Sequence, residues 1–236
     1  MEPALPPLLR LRGVGRRYGP PERAVHALSG IDLDVQQGAF VAVVGPSGCG
    51  KSTLLHLCGG MDRPTSGELT LGSDRLDTVD EERLARVRRD RVGFVFQVFN
   101  LLPTLTTIEN VALPLLLAGA AMDEAERRAA LIAERVGVAH RLRQYPAQLS
   151  GGESQRAAIA RAVIHTPAIV IADEPTGNLD SANGATVLAL LRELNAESGV
   201  TILLATHAAD LASAAGRIVY LRDGRIERME PAMAAD

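Results

Sequence analysis

A glycine-rich stretch contains the residues best suited to bind phosphate. The segment GPSGCGKST at 45–53 has the spacing G-x-x-x-x-G-K-[ST], between an apolar run and a helical pattern. Such glycines let successive backbone N–H groups face phosphate oxygens, and the helix dipole adds positive potential there. Lys51 is expected to bridge the β- and γ-phosphates of a nucleotide and Ser52 to bind Mg²⁺. The predicted phosphate-binding residues are Gly45, Pro46, Ser47, Gly48, Cys49, Gly50, Lys51, Ser52 and Thr53.

The only lysine of the chain lies in this segment. Of 25 basic residues, 24 are arginine and one is Lys51. A compact ammonium and a planar guanidinium are not interchangeable at a phosphate site. If arginine is favoured wherever either cation suffices, the remaining lysine indicates a position that needs an ammonium. Coincidence is the alternative explanation.

Two acids follow directly after a strand pattern. In IVIADEP at 169–175, Asp173 and Glu174 come at the carboxyl end of an apolar run, where doubly wound sheets bind ligands. Asp173 is placed to hold Mg²⁺ through water, and Glu174 is placed to orient and deprotonate an attacking water. The alternative is a turn with solvated acids, which would be preferred if the phosphate loop were missing.

A second glycine turn follows the same design. LSGGESQ at 149–155 offers Ser150 as a helix N-cap, two glycines with accessible N–H groups and a helical run through Arg161. Alone it is also compatible with an ordinary helix start. A phosphoryl transition state needs positive charge on more than one side, and these donors are able to supply it. The anion-binding residues predicted here are Ser150, Gly151, Gly152 and Glu153.

Alternating strand and helix patterns must position these residues. Apolar strand patterns at 40–44, 92–97, 168–173, 200–206 and 217–223, separated by helical stretches, predict a largely parallel sheet. Residues before the phosphate loop are rich in strand signals, whereas helical patterns dominate 98–165. The predicted fold class is α/β: a P-loop core with an N-terminal antiparallel β portion and an inserted α-helical subdomain.

These patterns predict a single domain over 1–236. Its α/β core is expected to comprise 1–97 and 166–228, its helical subdomain 98–165, and a loose tail 229–236.

Composition excludes several function classes. The 236 residues carry 25 basic and 28 acidic side chains, so a net charge of −3 gives no basic field for nucleic acid, and nucleic-acid binding is not expected. Cys49 and Cys58 cannot form a disulfide framework, which favours a reducing, cytoplasmic compartment. The longest apolar run, 111–122, falls short of the ~20 residues that cross a bilayer.

The three motifs GPSGCGKST, LSGGE and IVIADEP, in this order and spacing, resemble the nucleotide-binding subunit of ABC transporters. Further matching elements are Tyr18 in RRYG, Gln97 ending VFQ, Asn178-Leu179-Asp180, and His207 in LLATH. The resemblance runs from about residue 8 to 228. The phrases GFVFQVFNLLPTLTTIENV and ADEPTGNLD resemble the MacB and LolD group within that family.

The resemblance implies that ATP and Mg²⁺ are the cofactors and assigns further roles. It implies that Tyr18 stacks on adenine, that Gln97 touches Mg²⁺ and the lytic water, and that His207 contacts the γ-phosphate; Asp180 also joins the nucleotide site. From the residues alone, Tyr18 is equally a strand aromatic, Gln97 a surface amide and His207 a hydrogen-bonded histidine at a strand end. The implied catalytic set is Glu174, His207 and Gln97, and the metal set is Ser52, Gln97 and Asp173.

The resemblance also implies partners. The signature turn of one chain completes the phosphate site of a second copy, so that two chains enclose two ATP molecules. A transmembrane permease is expected to dock a cytoplasmic helix near Gln97, holding the chain peripherally at the inner face of the membrane. The apolar stretch 99–117 suits either this docking groove or the core of the helical subdomain.

Two other functions use the same chemistry. One is a regulatory or signalling ATPase of a MacB-like membrane complex that moves no cargo. The other is an ABC-type ATPase that acts on DNA or ribosomes, which typically carries a coiled-coil insertion, tandem cassettes or a basic surface. The sequence shows none of these three features.

Overall fold

The computed structural model describes residues 6–207 and 215–231. The strands in this part are β1 (Leu9–Tyr18), β2 (Val25–Val35), β3 (Phe40–Val44), β4 (Ser66–Leu71), β5 (Asp74–Arg75), β6 (Val92–Phe96), β7 (Ile169–Asp173), β8 (Thr201–Thr206), β9 (Arg217–Arg222) and β10 (Arg225–Pro231). The helices are α1 (Lys51–Cys58), α2 (Glu81–Arg91), α3 (Thr107–Leu117), α4 (Met122–Arg135), α5 (Gly151–Val163) and α6 (Ser181–Ser198).

The larger of the two sheets positions the predicted site. In the described residues its strand order is β10-β9-β3-β8-β7-β6, and all neighbours are parallel except β10 and β9. Val44 is in register with Thr206, and Asp173 is in register with both Ala205 and Phe96. The segments that follow β3, β6, β7 and β8 therefore all leave the sheet at one edge, the one formed by the carboxyl ends of the parallel strands, as the strand patterns predicted.

Side chains of the larger sheet alternate between two cores. Val41 and Val43 face one core, which also contains the leucines of α1 and the smaller antiparallel sheet β2-β1-β4-β5. Phe40 and Ala42 face the other core, which contains apolar side chains of α3, α4, α5 and α6. Because alternate residues of a strand point to opposite faces, α1 and α5 pack on opposite faces of the larger sheet.

Helices dominate the segment between β6 and β7, as predicted. Val111, Ala112 and Leu115 of α3 are buried in the second core, together with alanines of α4. Helix α5 packs against β6 as well as α3 and α4, so this segment is continuous with the sheet layer. The predicted boundaries of the helical subdomain, at residues 98 and 165, remain a prediction. No helix in the described ranges combines the length and the apolar character needed to cross a bilayer.

The predicted tail is wrong at its start. Residues 229–231 belong to β10, where Met229 pairs with Val219 and Pro231 pairs with Arg217. Asp223 and Gly224, with φ of 46° and 72°, form the tight turn that folds β10 back on β9. Because β10 is an exposed edge strand without apolar alternation, the sequence pattern gives no signal that the strand continues through 229–231. Residues 232–236 of the tail and 208–214 of the predicted core lie outside the described residues.

Close packing of β6 on α5 requires glycine at position 93. A Cβ atom there would lie 2.1 Å from the carbonyl oxygen of Ala162 in α5. We expect Gly93→Ala to lower the free energy of unfolding by at least ~2 kcal/mol in urea denaturation, because backbone must move to relieve the overlap. Gly184→Ala in α6 is the matched control: its Cβ would meet only ordinary contacts, so helix propensity should stabilise the protein by ~0.5–1 kcal/mol. Equal stability of Gly93→Ala and the unmodified chain would contradict this contact.

Candidate nucleotide-binding site

The phosphate loop is held closely between β2 and β9. A Cβ atom at Gly45 would lie 2.1 Å from the carbonyl oxygen of Leu221, and one at Gly50 would lie 2.5 Å from that of Ala27. Gly50 also has a φ of 106°, a backbone conformation that residues other than glycine rarely adopt. Neighbouring backbone therefore requires glycine at both ends of the loop, and at Gly50 the backbone conformation requires it as well.

Lys51 is buried beneath the loop. Its Nζ donates hydrogen bonds to the carbonyl oxygens of Gly45 (2.9 Å) and Pro46 (3.1 Å), and lies 3.9 Å from Oε1 of Glu174. Ser52 follows it on the exposed side of the first turn of α1. The Cys49 side chain, by contrast, is 4% exposed and packs in the core with the α1 leucines. Only the backbone of Cys49, and not its side chain, is therefore available for the predicted contact with phosphate.

Glu174 joins two of the other predicted residues. Its Oε2 lies 2.7 Å from Nδ1 of His207, within hydrogen-bond distance, while its Oε1 faces Lys51. Its φ is 47°, a left-handed conformation that is uncommon for glutamate, and its N–H donates to the carbonyl oxygen of Ala205. The structure thus brings Lys51, Glu174 and His207 together at the edge where β3, β7 and β8 end.

The residues expected to hold Mg²⁺ are compatible with that ion. Oδ1 of Asp173 is buried and has no hydrogen-bond partner among the described residues, an arrangement that a bound cation or its water would satisfy. No group of three or more His, Cys, Asp or Glu side chains capable of holding a metal occurs in the described ranges. Mg²⁺ commonly takes only one or two carboxylates and completes its shell with water and substrate phosphates.

Gln97 is tied to the segment that follows Glu174. Its Nε2 donates to Oδ1 of Asn178 at 3.2 Å, and Nδ2 of Asn178 donates to the Gln97 carbonyl oxygen at 3.0 Å. Nearby, the buried Gln155 of α5 donates to the carbonyl oxygens of Phe96 and Pro175. The sequence indicated Asn178 only as part of a motif and gave no role to Gln155. Both amides donate to carbonyl oxygens that are distant in the sequence, and the neighbouring residues do not show which ones.

Tyr18 lies in a small polar cluster. Its hydroxyl donates to Asp62 at 2.8 Å, and the guanidinium carbon of Arg16 lies 4.4 Å from the ring centroid. Arg16 and Asp62 form an ion pair at 2.8 Å. One face of the ring is therefore covered by Arg16 in a cation–π contact, and stacking of adenine on Tyr18 remains a prediction for the other face. Asp62 lies 44 residues from Tyr18, so sequence spacing gave no sign of it.

The signature turn starts α5 as predicted. Ser150 is the N-cap: its hydroxyl accepts from the Glu153 N–H, while Oε2 of Glu153 accepts from the Ser150 N–H and hydroxyl, both at 2.8 Å. Oε1 of Glu153 accepts from Nε of Arg141 at 2.7 Å and lies 3.1 Å from Nε2 of His140. Hydrogen bonds from Arg141, then from the backbone and hydroxyl of Ser150, lower the pKa of Glu153 to about 2.

The structure does not bring the signature turn to the phosphate loop of the same chain. Because α1 and α5 pack on opposite faces of the larger sheet, Ser150, Gly151 and Gly152 begin a helix on the far side from Lys51. Asp180 serves as the N-cap of α6, where both carboxylate oxygens accept hydrogen bonds from Asn183, which lowers the Asp180 pKa. Contact of Asp180 with nucleotide stays a prediction.

Comparison with known proteins decides the family. A family model described as ABC transporter matches residues 28–177, which contain the phosphate loop, the signature turn and both strand-end acids. The chain belongs to the ABC transporter family. It is an ATP-binding and ATP-hydrolysing cassette of that family, as the motifs predicted.

Two relatives match the group that the sequence phrases resembled. The macrolide export ATP-binding/permease protein MacB of Nitrosomonas europaea is 49% identical over 223 residues, covering 94% of this chain and 34% of that protein. The lipoprotein-releasing system ATP-binding protein LolD of Legionella pneumophila is 47% identical over 206 residues, covering 87% and 91%. The chain thus spans about a third of the length of MacB and nearly all of LolD.

A solved structure confirms the cassette fold. The ATP-binding cassette MJ0796 of Methanocaldococcus jannaschii, described as a dimer in a post-hydrolysis state bound to ADP and Pi, superposes with a TM-score of 0.89 at 40% identity. The match covers 95% of this chain and 99% of that one. The antiparallel sheet, parallel core and helical segment are therefore features of ABC cassettes.

We predict that Lys51→Arg binds ATP at least about tenfold more weakly although the positive charge is kept. The buried space between the carbonyl oxygens of Gly45 and Pro46 fits an ammonium, and a guanidinium is larger and planar. Titration of a fluorescent ATP analogue measures the effect. Arg127→Lys, an exchange between the same two residue types on the exposed side of α4, is the control and should leave affinity within about twofold. Unchanged affinity of Lys51→Arg would contradict the assignment.

Proposed function

We propose that the chain works as a homodimer that closes around two ATP molecules and drives a separate transmembrane permease. The observation that carries this proposal is the placement of the phosphate loop and the signature turn on opposite faces of one sheet. Hydrogen-bond donors on a second side of the γ-phosphate must then come from another chain. The dimer described for the MJ0796 structure supports the same arrangement.

Hydrolysis is assigned to Glu174. The contacts with Lys51 and His207 hold its carboxylate at the edge where the phosphate loop opens. From there it orients a water against the γ-phosphate and takes its proton, while Lys51 and the loop N–H groups stabilise the negative charge that develops on the phosphoryl oxygens. Bound Mg²⁺ would add positive charge at these phosphates, held by Asp173, Ser52 and Gln97.

Replacement of the carboxylate by an amide tests this role. Glu174→Gln is expected to keep ATP affinity, because shape is preserved, while lowering phosphate release by about 10²–10⁴-fold and accumulating an ATP-bound dimer in size-exclusion chromatography. Glu193→Gln makes the same exchange on the exposed side of α6 and should hydrolyse ATP at the normal rate. Rapid turnover by Glu174→Gln would rule out the general-base role.

A cavity beside the Gln97 segment is the proposed permease site. It has a volume of about 440 Å³, and its lining includes Phe94, Phe96, Leu113, Pro114, Leu117 and His165. Phe94 and Phe96 stack in parallel with centroids 5.7 Å apart, and Leu117 is 63% exposed. An amphipathic helix from the cytoplasmic side of a permease fits such an apolar groove. Stretch 99–117 thus contributes to this groove and, through Val111 and Leu115, to the core. Docking there would hold the chain at the cytoplasmic face of the membrane.

The groove is tested by adding charge at its rim. Tagged Leu117→Arg, incubated with native membranes, ATP and vanadate, should retain at least about tenfold less of a multispan membrane protein than the unmodified chain, because a buried arginine lacks a partner. Leu131→Arg in α4 is the control and should retain the membrane protein like the unmodified chain. Leu131 is 58% exposed and does not line this cavity. Equal recovery of the membrane protein by both variants in mass spectrometry would contradict docking at this groove.

A further inference from the structure

The signature turn contains a carboxylate beside a site that must accept an anion. Oε2 of Glu153 lies 2.8 Å from both the amide nitrogen and the hydroxyl oxygen of Ser150. In the proposed dimer, on which this inference rests, that hydroxyl and the N–H groups of the turn face the γ-phosphate of the partner's ATP. A formal negative charge so near a phosphate opposes binding unless it is compensated.

The compensation comes from outside the motif. Arg141 lies in a single 3-10 turn, Ala139–Arg141, between α4 and α5. Its Nε donates to Oε1 of Glu153 at 2.7 Å, and its Nη1 donates to Oε1 of Gln144, which fixes the guanidinium. The Glu153 side chain is 10% exposed and that of Arg141 is 34% exposed, so solvent screens this pair less than a surface pair.

His140 adds a second contact of a different kind. Its Nε2 lies 3.1 Å from the same carboxylate oxygen, but its ring is 59% exposed and carries charge only when protonated. A guanidinium, by contrast, is a permanent cation in proteins. The low pKa of Glu153 means that its carboxylate is ionised at neutral pH. The permanent pair in this cluster is therefore Arg141 with Glu153.

We propose that Arg141 is a positioning residue for the signature turn: by pairing with Glu153 it neutralises the carboxylate and holds the Ser150 cap in the geometry that receives the partner's γ-phosphate. The pair acts as a unit. A neutral amide at position 153 would still accept the hydrogen bonds of Ser150 through its oxygen and would need no cation. The contribution of Arg141 therefore depends on the charge at position 153.

A double-mutant cycle tests this dependence. All variants carry Glu174→Gln, which arrests hydrolysis so that dimerisation is read directly as the ATP concentration giving half-maximal dimer in analytical ultracentrifugation. Arg141→Met should raise this concentration at least about tenfold, because loss of one partner leaves a mostly buried charge unpaired. When Arg141→Met is combined with Glu153→Gln, the ATP concentration at half-maximal dimer should rise by less than about threefold relative to Glu153→Gln alone.

Two controls separate positioning from general damage. Arg143→Met removes an exposed arginine two residues away and should leave dimerisation unchanged, and Arg141→Lys should be affected less than Arg141→Met because charge is kept. A strong effect of Arg141→Met with either glutamate or glutamine at position 153 would show that Arg141 has only a structural role. No effect with either residue would show that Arg141 does not support the signature turn. Each result overturns the proposal. Absence of an ATP-dependent dimer with Glu174→Gln alone would instead overturn the proposed dimer, and this inference with it.

Discussion

The parallel register of the larger sheet is the constraint on which the site depends. Since β3, β7 and β8 run in the same direction, with Val44 in register with Thr206 and Asp173 in register with Ala205, whatever follows each strand must emerge at one edge. The buried face of α1 then fixes the phosphate loop over that edge. Lys51 and Glu174, more than a hundred positions apart in the chain, meet there because strand direction and register place them.

Charge balance is the second constraint, and the protein meets it differently on the two sides of the sheet. Beneath the phosphate loop, one buried ammonium faces Glu174 at 3.9 Å, so that each offsets the charge of the other. In the signature turn, donors come from backbone and a hydroxyl, and the carboxylate that caps them is paired with Arg141. The first side places an ion pair beneath the backbone N–H groups of the loop, whereas the second offers neutral donors whose only acid is already neutralised.

The sequence predicted the parallel sheet and the site edge well, because apolar runs such as that of β3 and the glycine turns are local signals. Its predicted core ended at residue 228, inside β10 rather than at the end of that strand, since β10 is exposed along nearly its whole length and has no apolar period. It also missed the polar contacts that hold the site residues, such as Arg16 on Tyr18 and Arg141 on Glu153. With 24 arginines in the chain, residue type alone gives no indication of which arginine meets which carboxylate.

The same contacts explain how events at the nucleotide would reach a permease in the proposed assembly. The groove is lined by Phe94 and Phe96 of β6, and Gln97 follows directly after that strand. Gln155 binds the carbonyl oxygens of Phe96 and Pro175, so it joins the end of this strand to the segment after Glu174. Asn178 closes the same connection from the other side through Gln97. A helix seated in the groove would therefore rest on a strand whose end is tied to the residues that follow Glu174, and in the proposed assembly these hydrogen bonds would couple the two sites.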